Sequence, residues 1–155
     1  MHKKMLRTLL VALGLTATAV TWAADVEVID PYVRAVPPGA PATAAFMQLK
    51  DKGGDVALVK AYSDVAESVE LHTHIHDHGV MRMRPIKQLA MKKGQTVDLQ
   101  PGGNHIMLIG LTRPVKEGDK VDIDLEFSDG SHQKITAPVR KIGMNMMGGG
   151  HMPSH

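Results

Sequence analysis

Residues 120–139, "KVDIDLEFSDGSHQKITAPV", read as two strands and a turn. Val121, Ile123, Leu125 and Phe127 alternate with Asp122, Asp124, Glu126 and Ser128. Successive side chains of an extended chain point to opposite faces, so this period of two describes a strand with one buried and one wet face. Asp129-Gly130 supplies the turn, and a second strand runs through Ile135 and Val139. Strands are also predicted at 26–29, 44–50, 56–62, 68–74, 80–84, 96–99 and 105–111. Turn signals separate them: Pro37-Pro38-Gly39, Lys52-Gly53-Gly54, Lys93-Gly94, Pro101-Gly102-Gly103 and Glu117-Gly118-Asp119. No segment sustains a helical period. Eight or nine short strands at this spacing predict an all-β, antiparallel sandwich or barrel.

The two ends read differently. Lys3, Lys4 and Arg7 precede an apolar run at 9–20, and Thr21-Trp22-Ala23 places small residues at the two positions a signal peptidase reads. That is the build of a secretory signal peptide, cleaved after Ala23 or Ala24, and the run is too short to span a bilayer. No cysteine follows, so lipid attachment at that point is excluded. The leader would remove three of the 18 Lys and Arg and none of the 16 Asp and Glu. The remainder is then close to neutral, which argues against nucleic acid or an anionic membrane surface as partner. The organisation expected is a leader at 1–23, one domain at 24–140 and a flexible tail at 141–155, whose triple glycine has no partner strand. The tail carries Met144, Met146, Met147, His151, Met152 and His155.

With no cysteine in the chain, disulfides and thiolate metal sites are both excluded. Aromatic residues make up only 3% of the sequence, which argues against stacking on bases or sugars. Histidine and methionine are instead concentrated in "ELHTHIHDHGVMRMRPI" (70–86) and "NHIMLIG" (104–110). Residues two apart on a strand share a face. His105 and Met107 therefore point the same way, as do Met81 with Met83 and His72 with His74. His105 and Met107 follow the Pro101-Gly102-Gly103 turn, where a strand enters the sandwich near its rim. A thioether is soft and neutral; it suits Cu(I) and serves Zn²⁺, Mg²⁺ or Ca²⁺ poorly, whereas imidazole suits several metals. A His/Met site without thiolate selects cuprous copper. A lone methionine on a strand is more often a core filler, and a lone histidine more often a hydrogen-bonded surface residue. The pairing of the two types, twice over, points to metal.

The spacing His72, ten residues, Met83, twenty-one residues, His105, one residue, Met107 resembles the H-x10-M-x21-H-x-M signature of the periplasmic PCuA(C) copper chaperone family. "GVMRMRP" (79–85), the Pro-Gly-Gly turn and "HIMLIGL" (105–111) carry the same resemblance. It implies a cupredoxin-like antiparallel β-sandwich of Greek-key type, and a Cu(I) site built from His72, Met83, His105 and Met107. It also implies delivery to the apo copper site of cytochrome c oxidase, or to another periplasmic copper chaperone, and no enzymatic activity. Met81 is then expected beside the ligands and not among them. The chain departs from the family pattern at His74, where methionine is usual. With His76 and His78 it adds imidazoles that either create a secondary, Cu(II)-preferring position or alter the main site. The tail residues Met144, Met146, Met147, His151, Met152 and His155 are candidates for the same secondary role.

"HTHIHDH" (72–78) does not match the His-x-His-x-Asp-His run of binuclear zinc hydrolases, because His76 stands where the aspartate belongs. A blue-copper electron carrier needs a cysteine ligand that is absent. Periplasmic copper buffering, storage or resistance uses the same ligands as delivery and stays open.

Overall fold

A computed structural model describes residues 24–142. The expected leader at 1–23 and the tail residues from 143 onward lie outside the described residues.

Ten strands follow in order: β1 (Val26–Arg34), β2 (Ala42–Asp51), β3 (Val56–Tyr62), β4 (Ala66–Asp77), β5 (Val80–Pro85), β6 (Leu89–Met91), β7 (Thr96–Leu99), β8 (His105–Leu111), β9 (Lys120–Phe127) and β10 (His132–Arg140). They lie in the lateral order β5-β4-β8-β2-β1-β10-β9-β3-β6, with β7 also paired to β2. Every strand pair is antiparallel except β1 with β10, which run parallel through Val33 with Val139 and Arg34 with Arg140. That parallel pair joins two sheets, and the apolar faces of both form one core. Val33, Leu49, Ile106 and Leu108 come from the first sheet, and Leu58, Val121, Ile123, Leu125 and Phe127 from the second.

The alternation in β9 is realised as expected: Val121, Ile123, Leu125 and Phe127 are all buried. Each such side chain contributes roughly 1.5–3 kcal/mol of transfer free energy relative to exposure. Met47 and Met91 are buried in the same core and so serve as packing. β6 was not anticipated; at three residues it is too short to display a period. β1 runs past its predicted end because a bulge carries it. The register shifts between Ile29 and Tyr32, and Asp30 adopts φ 47°. A bulge takes up the extra residue and excuses Pro31 from the ladder.

One feature of the pairing sets up what lies on the outer face of the first sheet. β4 pairs with β8 only up to His72 opposite His105, whereas its pairing with β5 continues to Asp77 opposite Val80. The outer part of the β4–β5 hairpin thus overhangs the sheet as a two-stranded ribbon, and all six residues of β5 are exposed. A ribbon of two strands is marginal in water by itself. Whatever its side chains hold on to therefore matters for its position.

Candidate metal centre

Directly opposed residues of an antiparallel ladder point to the same face. Three registers locate the candidates. His72 faces His105, and Glu70 faces Met107, across β4 and β8. His74 faces Met83, His76 faces Met81, and His72 faces Pro85, across β4 and β5. Met107 faces Ala44 across β8 and β2. His72, His74, Met83, His105 and Met107 therefore share one face of one sheet. Leu71, Ile106 and Ala45, on the other face, are buried in the core. The ligand candidates sit on the outside of the sandwich, beside its overhanging ribbon.

His74, Met83, His105 and Met107 line a groove of about 460 Å³. Arg34 to Pro37 and the Pro101-Gly102 turn form its other walls, and Ala44 and Phe46 belong to its lining. Gly102 has φ 81°, a conformation that a side chain would strain, so the turn can fold tightly over the end of β8. Phe46 is buried although it belongs to the outer face. Tyr32 covers it at 5.3 Å between ring centroids, and the His105 ring lies 6.2 Å away.

His105 is 2% exposed. Its Nδ1 lies 3.0 Å from the Gly103 carbonyl oxygen. A carbonyl can only accept, so Nδ1 carries the proton and Nε2 keeps its lone pair. Burial pushes the pKa of His105 below the ordinary imidazole value; the hydrogen bond to Gly103 opposes this, and His74 and His72 nearby reinforce it. The ring is thus held neutral, the form that binds metal.

His72 is arranged by a different device. Its Nε2 lies 2.7 Å from Glu70 Oε2, and its side chain is 12% exposed. The other nitrogen, Nδ1, is buried and has no hydrogen-bond partner. Buried polar atoms are nearly always satisfied, so an orphan of this kind calls for an explanation. A ring nitrogen with a free lone pair, next to His105 at 5.8 Å between centroids, is what a metal would satisfy.

His74 reaches toward the same Gly103 carbonyl with Nδ1, at 3.3 Å, and its ring lies 5.3 Å from His105. His74 therefore stands in the groove, and it ties the ribbon to the turn. The register sets Met83 across from His74, with His72 on the diagonal. Met83 is 45% exposed, a thioether open to solvent at the groove's edge. His76 and Met81 lie farther out on the ribbon. His78 leaves the strand in the turn at φ 49°, with its side chain 98% exposed and bonded to Asp77. Met144, Met146, Met147, His151, Met152 and His155 lie outside the described residues.

Among the described residues, no three His, Cys, Asp or Glu side chains converge as a metal site. The donors this face brings together are imidazole nitrogen and thioether sulfur, a set that suits soft metal ions. Two groups escaped the reading of the sequence. Glu70 was findable, because it lies two residues before His72 and so on its face. The Gly103 carbonyl was not, since nothing in a glycine marks where its oxygen will point.

Comparisons with known proteins agree with this fold. The family described as "Putative lipoprotein LpqE-like" matches residues 26–139. A protein of Leifsonia xyli subsp. xyli, "Putative lipoprotein Lxx21020", is 37% identical over 152 residues, covering 88% of this chain and 90% of its own. A solved structure, "Solution structure of CuI-DR1885 from Deinococcus Radiodurans", is 36% identical with TM-score 0.58, covering 81% of this chain and 83% of its own. The "Copper-bound PCuAC domain from PmoF2" superposes with TM-score 0.64 at 19% identity, over 78% of this chain and 97% of its own. At that identity it speaks for the shared fold.

Proposed function

The chain belongs to the LpqE-like family, whose fold is that of the PCuAC copper chaperone domains, and on that premise we propose that it is a periplasmic Cu(I) chaperone. The observation that carries this reading is the sharing of one outer sheet face by His72, Met83, His105 and Met107, with His72 Nδ1 buried and unpartnered and His105 Nε2 left free by the bond its Nδ1 makes to Gly103. The relatives whose names record copper support the choice of ion.

The proposed work is carriage, and the chain's residues divide it. Gly103 holds His105 in the tautomer that offers Nε2, and Glu70 leaves His72 Nδ1 free. Met107 lies beside His105 in the groove, two residues on along β8 and on the same face. Met83 closes the set from the exposed ribbon, where an acceptor can reach it. Four neutral ligands leave the ion its positive charge and hold it less tightly than thiolates would, so copper can pass to a cysteine-bearing acceptor. The acceptor proposed is the apo copper site of cytochrome c oxidase, directly or through another periplasmic copper chaperone. Export is proposed by cleavage after Ala23; relatives are named lipoproteins, but this sequence has no cysteine to carry a lipid.

X-ray absorption on the protein loaded anaerobically with Cu(I) tests the site. Two sulfur and two nitrogen neighbours are expected; a sphere without sulfur would defeat the reading. Transfer to an apo acceptor, followed by NMR, tests delivery. A second reading, copper buffering or resistance with Cu(II) on the added imidazoles, is favoured by the presence of His74 in the groove. Copper that stays on the protein in front of a competent acceptor would select it.

A further inference from the structure

We propose that Glu70 is a positioning residue for copper: through its hydrogen bond to His72 Nε2 it fixes the tautomer that presents Nδ1 to the metal, and its charge offsets that of the bound ion. The proposal rests on the copper reading above and adds a residue outside the four-ligand spacing.

Three observations carry it. The Nε2 to Oε2 distance is 2.7 Å, and an ionised carboxylate can only accept, so the proton of the neutral ring resides on Nε2. The nitrogen left without a proton is the buried, unpartnered Nδ1. Glu70 also stands directly across from Met107, which lines the groove. On the face of β2, β4, β5 and β8 that carries the groove, Glu70 is the one carboxylate among the described residues. Cu(I) with four neutral ligands keeps a full positive charge at the protein surface. A carboxylate bonded to one ligand's far nitrogen stabilises that charge and raises the ligand's basicity, without entering the coordination sphere and making the site too hard for cuprous copper. His105 is oriented by a neutral carbonyl and His72 by an anion, so the two imidazoles are unequal donors.

The experiment has two readouts. Nitrogen-15 NMR of the copper-free protein reports the tautomer of each ring, and competition with a cuprous chelator reports affinity. In the wild type, His72 is expected as the Nε2–H form. Glu70→Ala should mix the tautomers and weaken Cu(I) binding by about tenfold or more, within the range that removal of such partners produces. Glu70→Gln keeps an acceptor and loses the charge, so it should retain the tautomer and show a smaller loss. A wild-type His72 protonated on Nδ1, or a Glu70→Ala protein with unchanged affinity, would overturn the proposal. Should the alanine variant fold poorly, Glu70→Gln with wild-type affinity and an altered tautomer does so equally. A wild type that binds no Cu(I) would sink the copper reading instead, and the metal-free tautomer would still judge the role of Glu70.

Discussion

The two sheets carry grooves of the same size, about 460 Å³ each, and only one is equipped to hold a soft metal. The groove on the second sheet is lined by Tyr62, Asp64, Asp122, Asp124, Lys134 and Thr136, with Ile123 and Ile135. Its polar groups pair in part, and Asp124 Oδ1 is buried without a partner. Thr136 Oγ1 donates to Asp122 at 2.6 Å, and just beyond the groove Tyr62 donates to Glu126 at 2.6 Å and His132 lies 3.2 Å from Asp124. The groove on the first sheet has no carboxylate in its lining and places His105 in near-complete burial. Both regions contain a histidine within a β-ladder. What separates them is the company: carbonyl and thioether on one side, carboxylates on the other. Cavity size is therefore uninformative here, and donor chemistry with burial decides which groove can carry copper.

Removing His105 should have the largest effect, because the ring is both donor and packing. His105→Ala is expected to weaken Cu(I) binding by roughly a hundredfold or more, the scale of losing a direct ligand rather than its supporting partner. It also leaves a void against Phe46 and an unmade bond at Gly103, which should lower metal-free stability by about 1–3 kcal/mol. Chelator competition and urea unfolding measure the two effects. A variant that binds as tightly as wild type would erase the distinction between the grooves.

Met83 offers the cleaner separation. Its side chain is almost half exposed on the ribbon, so Met83→Ala should leave stability within about 0.5 kcal/mol. Cu(I) affinity is expected to fall by roughly tenfold to a hundredfold, and X-ray absorption should count one sulfur fewer. Equal loss of stability and affinity would mean that the ribbon, not the thioether, had been removed.

The contrast between these residues shows what was legible beforehand. Alternation in 120–139 announced β9 and its buried face, and the same rule grouped His105 with Met107 and Met81 with Met83. Alternation cannot say which strands become neighbours. That His72 comes opposite His105, and that Met83 comes opposite His74, follows from long-range pairing that no local pattern encodes. Burial was hidden for a similar reason. His105 reads in the sequence as a residue near the sandwich rim, and the Pro101-Gly102-Gly103 turn, Phe46 and two other imidazoles enclose it. β6 and the parallel β1–β10 join also went unseen, the first for want of length and the second because parallel partners far apart in sequence leave no turn to mark them.

Burial of His105 also gives the first sheet a pH response. The folded protein holds this ring below the ordinary imidazole pKa of 6.5, mainly because burial disfavours the charged form. The unfolded chain takes up a proton as pH falls through about 6.5, while the folded chain resists until the lower value is reached. Metal-free stability should therefore be full above that range and decline as pH falls through it. Urea midpoints between pH 8 and pH 5 should drop more steeply in wild type than in His105→Ala. Parallel slopes would show that the ring protonates in place.

The smallest expected effect belongs to the second groove and serves as the control for the first. His132 stacks on Tyr62 at 6.3 Å between centroids and lies beside Asp124, with its own side chain 46% exposed. A surface substitution at such a position changes free energies by at most about 0.5 kcal/mol. His132→Ala should thus leave Cu(I) affinity within about twofold of wild type and the sulfur count unchanged, because among the described residues no methionine lines the neighbouring groove. Copper chemistry that follows His132 instead of His105 would show that isolated imidazoles suffice, and that the gathering of sulfur on the first sheet is packing. Cu(I) affinity that follows His105 alone would show that a buried, neutral ring beside thioethers is what distinguishes two grooves of equal volume.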